Sequence, residues 1–204
     1  MNLGRLKRKV WFRYSMRGAG ANDPFKQLDT LYRIRDPWNI DSKGELPRLT
    51  GTNDAFRAAF GHVGSLLEVG SGEGVQSAHL ATLCDTLTGI DVVPRALRRA
   101  RKRLPSATFF EGQLKDQPWA GEKGRFDAVV AAEVLNYMAD PRGFIDMITA
   151  LARKGCLITY FSNNEPKLGP IVRAIPSVRL SSVAYGDALE KTSVIAWWPS
   201  ATSA

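Results

Sequence analysis

The chain has 204 residues, 44% of them hydrophobic, with 28 Lys or Arg against 20 Asp or Glu. That apolar share can build one continuous core in a single globular domain. The longest apolar runs, LITYF and VIAWW, fall far short of the ~20 residues that span a bilayer, and the first residues lack the apolar stretch of a secretory signal, so a cytoplasmic protein is expected.

The excess of positive charge is local. Six Lys or Arg and no acid fall between Arg5 and Arg17, and six more between Arg95 and Arg103; the remaining 16 basic residues are outnumbered by the 20 acids. The body of the chain is therefore mildly acidic. In the second run Val93, Leu97, Ala100 and Leu104 recur at helical spacing, so its charges read as the solvated face of an amphipathic helix. Cys84 and Cys156 lie far apart, with no CxxC pair or neighbouring His, and are expected as core residues.

In chain order, the first ~50 residues are rich in Arg, aromatics, Gly and Pro with little periodicity, and suggest a cover segment (residues 1–50) laid over a main domain (51–204). From Ser65 to Phe161 short apolar runs alternate with helical patterns. Strands are expected at Ser65–Val69, Thr86–Ile90, Thr108–Glu111, Phe126–Ala131 and Cys156–Phe161, and helices at Val75–Leu83, Pro94–Leu104 and Pro141–Leu151. The last helix has Asp140 to cap it and Pro141 in its first turn, with Arg153, Lys154 and Gly155 suited to its end. Beyond the Pro-bounded stretch Pro166–Pro176, Val178–Tyr185 and Thr192–Trp198 are β-like. The link between them is too short for a crossover helix, so they are expected to pair antiparallel. The result is an α/β, Rossmann-like doubly wound fold: a mostly parallel seven-stranded sheet with an antiparallel C-terminal edge hairpin.

The most informative motif is Glu68-Val69-Gly70-Ser71-Gly72-Glu73-Gly74, an apolar strand entering a glycine-rich turn ahead of a helix. Glycines permit the tight turn and let a ligand approach the backbone. The spacing is GxGxG, and Val75 stands where a dinucleotide fingerprint needs its last glycine, which disfavours NAD. The next strand ends in Gly89-Ile90-Asp91, placing a carboxylate where it can accept hydrogen bonds from both hydroxyls of a ribose. Turn and acid together describe a nucleoside site.

Through EVGSGEG, GID and the later FDAVVAAEVLNYM, the sequence resembles the class I S-adenosylmethionine-dependent methyltransferases. Through Asp36-Pro37-Trp38, EGQLKDQPW and EVLNYM it is more narrowly similar to the nodulation protein S group, which N-methylates the amino sugar of a chitooligosaccharide. The resemblance implies S-adenosyl-L-methionine as cofactor. It implies that Gly70, Ser71, Gly72 and Gly74 line the methionine portion, that Glu68 organises the turn, that Asp91 holds the ribose, and that Ile90 and Val92 flank the adenine. Gln113, beside Leu114, takes the place of an acid that in many members bonds the adenine amino group.

Methyl transfer from a sulfonium is an in-line displacement, so alignment of acceptor, methyl and sulfur is the main task. An amine acceptor must be unprotonated, and a hydroxyl acceptor needs a base. Glu133, following the fourth strand at the carboxyl edge, is the candidate for that role and for contact with the cofactor; a solvated or turn-capping Glu133 is an equal alternative. Tyr137 is a second catalytic candidate, Asn136 and Trp38 are candidates for acceptor binding, and the acceptor pocket is expected to draw largely on residues 11–39. His62 and His79 sit in no metal-ligand pattern, so no metal is expected. The expected activity is methyl transfer to nitrogen or oxygen of a small molecule or glycan. The alternatives are an RNA methyltransferase that grips phosphates through the basic N-terminus with Trp11, Phe12 and Tyr14, or a cofactor-binding protein without catalysis. Peripheral membrane contact through residues 3–17 is compatible with the first.

Overall fold

A computed structural model of the protein describes residues 24–200. The basic run of residues 5–17, and with it the expected RNA-gripping aromatics and the membrane-facing residues 3–17, lies outside the described residues.

Seven strands form one sheet in the order β3-β2-β1-β4-β5-β7-β6. They are β1 (Val63–Val69), β2 (Cys84–Asp91), β3 (Thr108–Glu111), β4 (Phe126–Ala132), β5 (Ala152–Phe161), β6 (Arg179–Tyr185) and β7 (Lys191–Pro199). The pairs β1–β2, β2–β3, β1–β4 and β4–β5 are parallel. β7 runs antiparallel to both β5 and β6, from Phe161↔Ser193 at one end of the β5 ladder and Tyr185↔Lys191 at the hairpin end. The sheet and its antiparallel C-terminal hairpin match the expectation from sequence.

Among the described residues six helices flank the sheet: α1 (Pro24–Leu31), α2 (Leu46–Phe60), α3 (Val75–Leu80), α4 (Pro94–Arg103), α5 (Pro141–Leu151) and α6 (Glu165–Arg173). Successive strand residues point to opposite faces, so Leu66 and Leu67 divide between two cores. Leu66, Leu87 and Val130 pack with Phe56 of α2 and Leu80 of α3. On the other face Leu67, Val129 and Ile158 pack with Ile145 and Ile148 of α5 and Leu168 of α6. Each fully buried Leu or Ile contributes about 1.5–3 kcal/mol, so the two layers hold the sheet from both sides.

The structure departs from the sequence reading in three places. Helix α2 crosses the expected boundary at residue 50; its buried side includes Arg48, Thr52 and Asn53 beside Leu49 and Phe56, so its inward stripe is half polar and escapes a hydrophobic periodicity. Helix α6 forms through a segment read as Pro-bounded, although Pro170 lies inside it. Third, Asp140 does cap α5, its carboxylate accepting from the Gly143 amide at 3.0 Å, but Arg153, Lys154 and Gly155 do not close that helix. They lie in β5, which starts four residues earlier than expected beside an irregular register between Phe126 and Ala128. There the exposed Arg153 pairs with Asp127 at 2.8 Å.

In this topology the chain leaves β1 toward β2 and β3, then returns to β4 on the other side. The crevice outside the carboxyl ends of β1 and β4 is the switch point where open α/β sheets bind ligands.

Candidate functional site

A cavity of about 910 Å³ opens at this switch point. The glycine turn forms its floor: the Gly70 and Ser71 amides donate to the Ile90 carbonyl at 2.8 and 3.0 Å, which ties the turn to the end of β2. Gly70 has φ +76° and its α-carbon abuts the Val134 side chain, so a Cβ there would collide with it and close the gap between the turn and the β4 loop. Gly74 has a different role. Its φ is +75°, and a Cβ would meet the backbone and side chain of Ala100 at 3.1 Å; it lets α3 and α4 pack closely and does not line the cavity, where Gly70, Ser71 and Gly72 do.

Asp91 ends β2 with its carboxylate on the cavity wall. Oδ2 accepts from the Gly72 amide at 2.8 Å and Oδ1 from the Val93 amide at 2.9 Å, so the carboxylate is held in one orientation with further lone pairs available. Burial raises its pKa, opposed by those amides. Glu68 lies beneath, 1% exposed, hydrogen-bonded by the Ser77 hydroxyl. Its burial, only partly offset by Ser77, raises its pKa to about 8. Val92, Gln113 and Leu114 line the wall beyond Asp91.

Several buried polar groups on this wall lack partners. The Ser71 hydroxyl and Gln76 Oε1 are buried without a hydrogen bond among the described residues. Arg48, 4% exposed, bonds Glu45 Oε2 through Nε at 2.9 Å, and its two terminal nitrogens have no partner among the described residues. A buried cation with open donors facing a cavity is arranged to meet an anion. Neither Arg48 nor Gln76 was expected from sequence; both sit on helices where polarity at an inward position was the available signal.

Across the cavity, Glu133 follows β4 with φ +59°. Its amide donates to the Thr159 carbonyl at 2.9 Å, and Oε1 accepts from Ser193 Oγ at 2.8 Å and Thr159 Oγ1 at 3.3 Å. Oε2 has no hydrogen bond among the described residues. Two strands, β5 and β7, thus fix one oxygen and leave the other open at the cavity, which Asn136, Tyr137 and Trp38 also line. Tyr137 meets Trp38 edge to face, 6.3 Å between centroids. Burial pushes its phenol to about 12, so it is a donor and not a base near neutral pH.

The acceptor side was expected to draw largely on residues up to Asn39, and here the structure shifts the weight. Glu45, Phe161, Asn164, Tyr185 and Lys191 line the cavity as well, contributed by the turn before α2, the end of β5, the segment before α6 and the edge hairpin. The segment 32–41 covers the other end. The Asp36 amide donates to Glu73 Oε1 at 2.9 Å, Arg99 bonds both Glu73 and the Ile34 carbonyl, and Arg103 reaches Asp41 at 2.8 Å. Half of the basic run on α4 therefore has acid partners, Arg95 with Asp29 included, and is more than a solvated face. His62 pairs with the exposed Asp85 at 2.8 Å, and no cluster able to hold a metal occurs among the described residues.

Comparison with known proteins agrees with this geometry. Residues 67–159 match the methyltransferase domain family. The nodulation protein S of Rhizobium tropici is 31% identical over 123 residues, 60% of this chain and 52% of that protein. A ubiquinone biosynthesis O-methyltransferase of Methylocella silvestris is 35% identical over 95 residues, 46% of this chain and 37% of that protein. The chain spans about half the length of the nodulation S proteins it matches. Among solved structures, the N-methyltransferase NodS of Bradyrhizobium japonicum in complex with S-adenosyl-L-homocysteine superposes with a TM-score of 0.71 at 22% identity, covering 87% of this chain and 98% of that one, a likeness of fold.

Proposed function

We propose that the protein, whose residues 67–159 match the methyltransferase domain family, is a class I methyltransferase that transfers a methyl group from S-adenosyl-L-methionine to nitrogen or oxygen of a small molecule or glycan. One observation carries this reading: a single cavity at the sheet's switch point combines Asp91, the open glycine turn, the open terminal nitrogens of Arg48 and Glu133.

The residues suit the cofactor's parts. Asp91 would receive the ribose hydroxyls, Val92, Gln113 and Leu114 would flank the base, and the open nitrogens of Arg48 would meet the amino acid carboxylate. Gln76 Oε1 and the Ser71 hydroxyl, both buried without partners, offer an acceptor and a donor to its polar tail. When bound, the cofactor supplies an electrophilic methyl on a positively charged sulfur. The chain's own contribution is placement. Glu133 Oε2 takes a hydrogen bond from the acceptor's nucleophile and holds its proton-bearing side away from the methyl. Trp38, Tyr137, Phe144 and Met147 wall the reaction space and reduce the water that competes for it. The free buried thiols of Cys84 and Cys156 suit a reducing compartment, and we place the enzyme in the cytoplasm; no helix of the described residues is long and apolar enough to cross a membrane.

Calorimetric titration with S-adenosylmethionine, S-adenosylhomocysteine and NAD tests the reading. Binding of both adenosyl ligands and not NAD is expected. NAD binding alone, or no binding, would refute it.

A further inference from the structure

Three of the six cations on α4 are used inside the fold. Arg95 meets Asp29, Arg99 meets Glu73 and Arg103 meets Asp41. The other three are not. Arg98 and Lys102, one helical turn apart, are exposed and have no acid partner among the described residues; the exposed Arg101 donates to the Phe109 carbonyl at 2.8 Å. On the helical wheel Arg98 and Lys102 point directly away from Ala96, Leu97 and Ala100, the buried side of α4.

The cover segment widens this face. Arg99 bonds the Ile34 carbonyl at 2.9 Å, which sets the exposed Arg33 and Arg35 beside α4. The Arg103 hydrogen bond, with Arg35 also in electrostatic reach, holds the Asp41 carboxyl below its ordinary value. Across α4, residues 29–41 and Glu73, eight cations stand against four acids, and those acids are spent: three on the arginines named, and Asp36 on the Ile40 and Asp41 amides. A surface built only for solubility mixes both signs. Here one sign is concentrated on a chain that is net acidic outside its two basic runs, so a negatively charged surface attracts this face and repels the remainder.

Shape selects among polyanions. Single-stranded nucleic acid is held in a cationic groove lined with stacking rings, whereas this face is a ridge, the side of one helix with the cover along its flank. A plane of phosphate headgroups can meet a ridge, and guanidinium forks match phosphate oxygens. Phe110, 37% exposed, stands past Arg101 on the edge strand β3, where a ring beside cations suits the headgroup boundary. We propose that the outer face of α4, with Arg33 and Arg35, docks reversibly on an anionic phospholipid surface. None of these side chains lines the cavity, so the proposal stands apart from the methyltransferase reading. The segment it engages also carries Asp36 and Trp38 of the cavity lining, and docking would therefore set the cavity's cover against the lipid.

The test sediments the full chain, at low salt, with vesicles of phosphatidylcholine alone and of phosphatidylcholine mixed with phosphatidylglycerol. It should partition onto the mixed vesicles only, and the partition should fall as added salt screens the charges. One Lys or Arg near such a surface is worth about fivefold in partition, so Arg98→Ala with Lys102→Ala should cost about 25-fold. Ala keeps the helix, and thermal melting checks the fold. Arg142→Ala with Lys167→Ala removes the same charge from exposed positions of α5 and α6, across the sheet, and should cost less than about threefold. The cations between Arg5 and Arg17 are present in every variant; if parent and α4 variant bind alike, the contact belongs to that run and the proposal fails. Binding to neither vesicle, equal binding to both, or equal losses in the two variants would also overturn it. A single-stranded oligoribonucleotide at the same salt probes the other polyanion: tighter binding than to vesicles, lost in the α4 variant, would make the face a nucleic-acid site and refute the lipid assignment.

Discussion

Glu68→Gln should change how stability depends on pH, and the sign follows from the structure. In the unfolded chain this carboxyl titrates near its ordinary 4.5, and in the fold burial raises it to about 8. Between those values the native state holds a proton that the unfolded state has released, so stability falls as pH rises through that window. At about 1.4 kcal/mol per unit, the ionised form is disfavoured by roughly 5 kcal/mol above pH 8, with the Ser77 hydrogen bond already included, and about 3 kcal/mol of this develops between pH 5.5 and 8.5. Gln has the same shape, can accept from Ser77 and carries no proton to lose. Thermal unfolding of parent and variant at pH 5.5 and 8.5 reads the difference. At about 2–4 °C per kcal/mol for a chain of this size, the parent should lose roughly 10 °C relative to Glu68→Gln between the two pH values. The absolute stability of the variant does not matter, because the comparison is between slopes. Parallel profiles would show that Glu68 is ionised in the fold and refute the reasoning.

Two further substitutions probe the cofactor wall. Asp91→Ala should weaken S-adenosylhomocysteine binding by about 30-fold or more in calorimetry, since it removes a charged acceptor worth about 2 kcal/mol; unchanged affinity would remove Asp91 from the ribose site. Arg48→Met should cost about tenfold to a hundredfold in S-adenosylhomocysteine affinity, by the loss of charge-assisted bonds, and leave adenosine binding unaltered. Equal losses for the two ligands would assign Arg48 a structural role.

The sheet, and the meeting of the glycine turn with Asp91 at one cavity, were legible because their signals are local. Strand β3 and helix α5 were read to their observed bounds, and the sequence from Glu68 to Gly72, with Asp91, carries its chemistry within two short motifs. What escaped depends on the tertiary neighbourhood. The inward side of α2 is polar, so Arg48 reads as a surface charge until the fold buries it against Tyr185. Tyr185 itself reads as one more aromatic at a strand end, and only the antiparallel return of β7 brings it to Lys191 and sets Ser193 against Glu133. Gly74 illustrates the opposite case: a motif glycine that the family resemblance places beside the methionine portion lies outside the cavity lining, and the close approach of Ala100 requires it.

The contacts around Glu73 show why the cover and the cofactor turn act as one unit. Glu73 sits between Gly72 and Gly74, so its backbone is part of the turn that faces the cavity, while its side chain is 5% exposed and holds the Asp36 amide and Arg99. Arg99 in turn holds the Ile34 carbonyl at 2.9 Å, and Arg103 holds both the Glu73 carbonyl at 3.2 Å and Asp41. Asp36 and Asn39 have positive φ, a conformation that costs energy outside glycine and persists only where surrounding contacts enforce it. The Asp36 carboxylate supplies one of them by accepting from the Ile40 amide at 2.7 Å. These bonds place Trp38 edge-on to Tyr137, and both rings line the cavity. The glycine turn is therefore tied to the segment that carries Trp38 through two arginines of a helix whose charge pattern alone read as a solvated face.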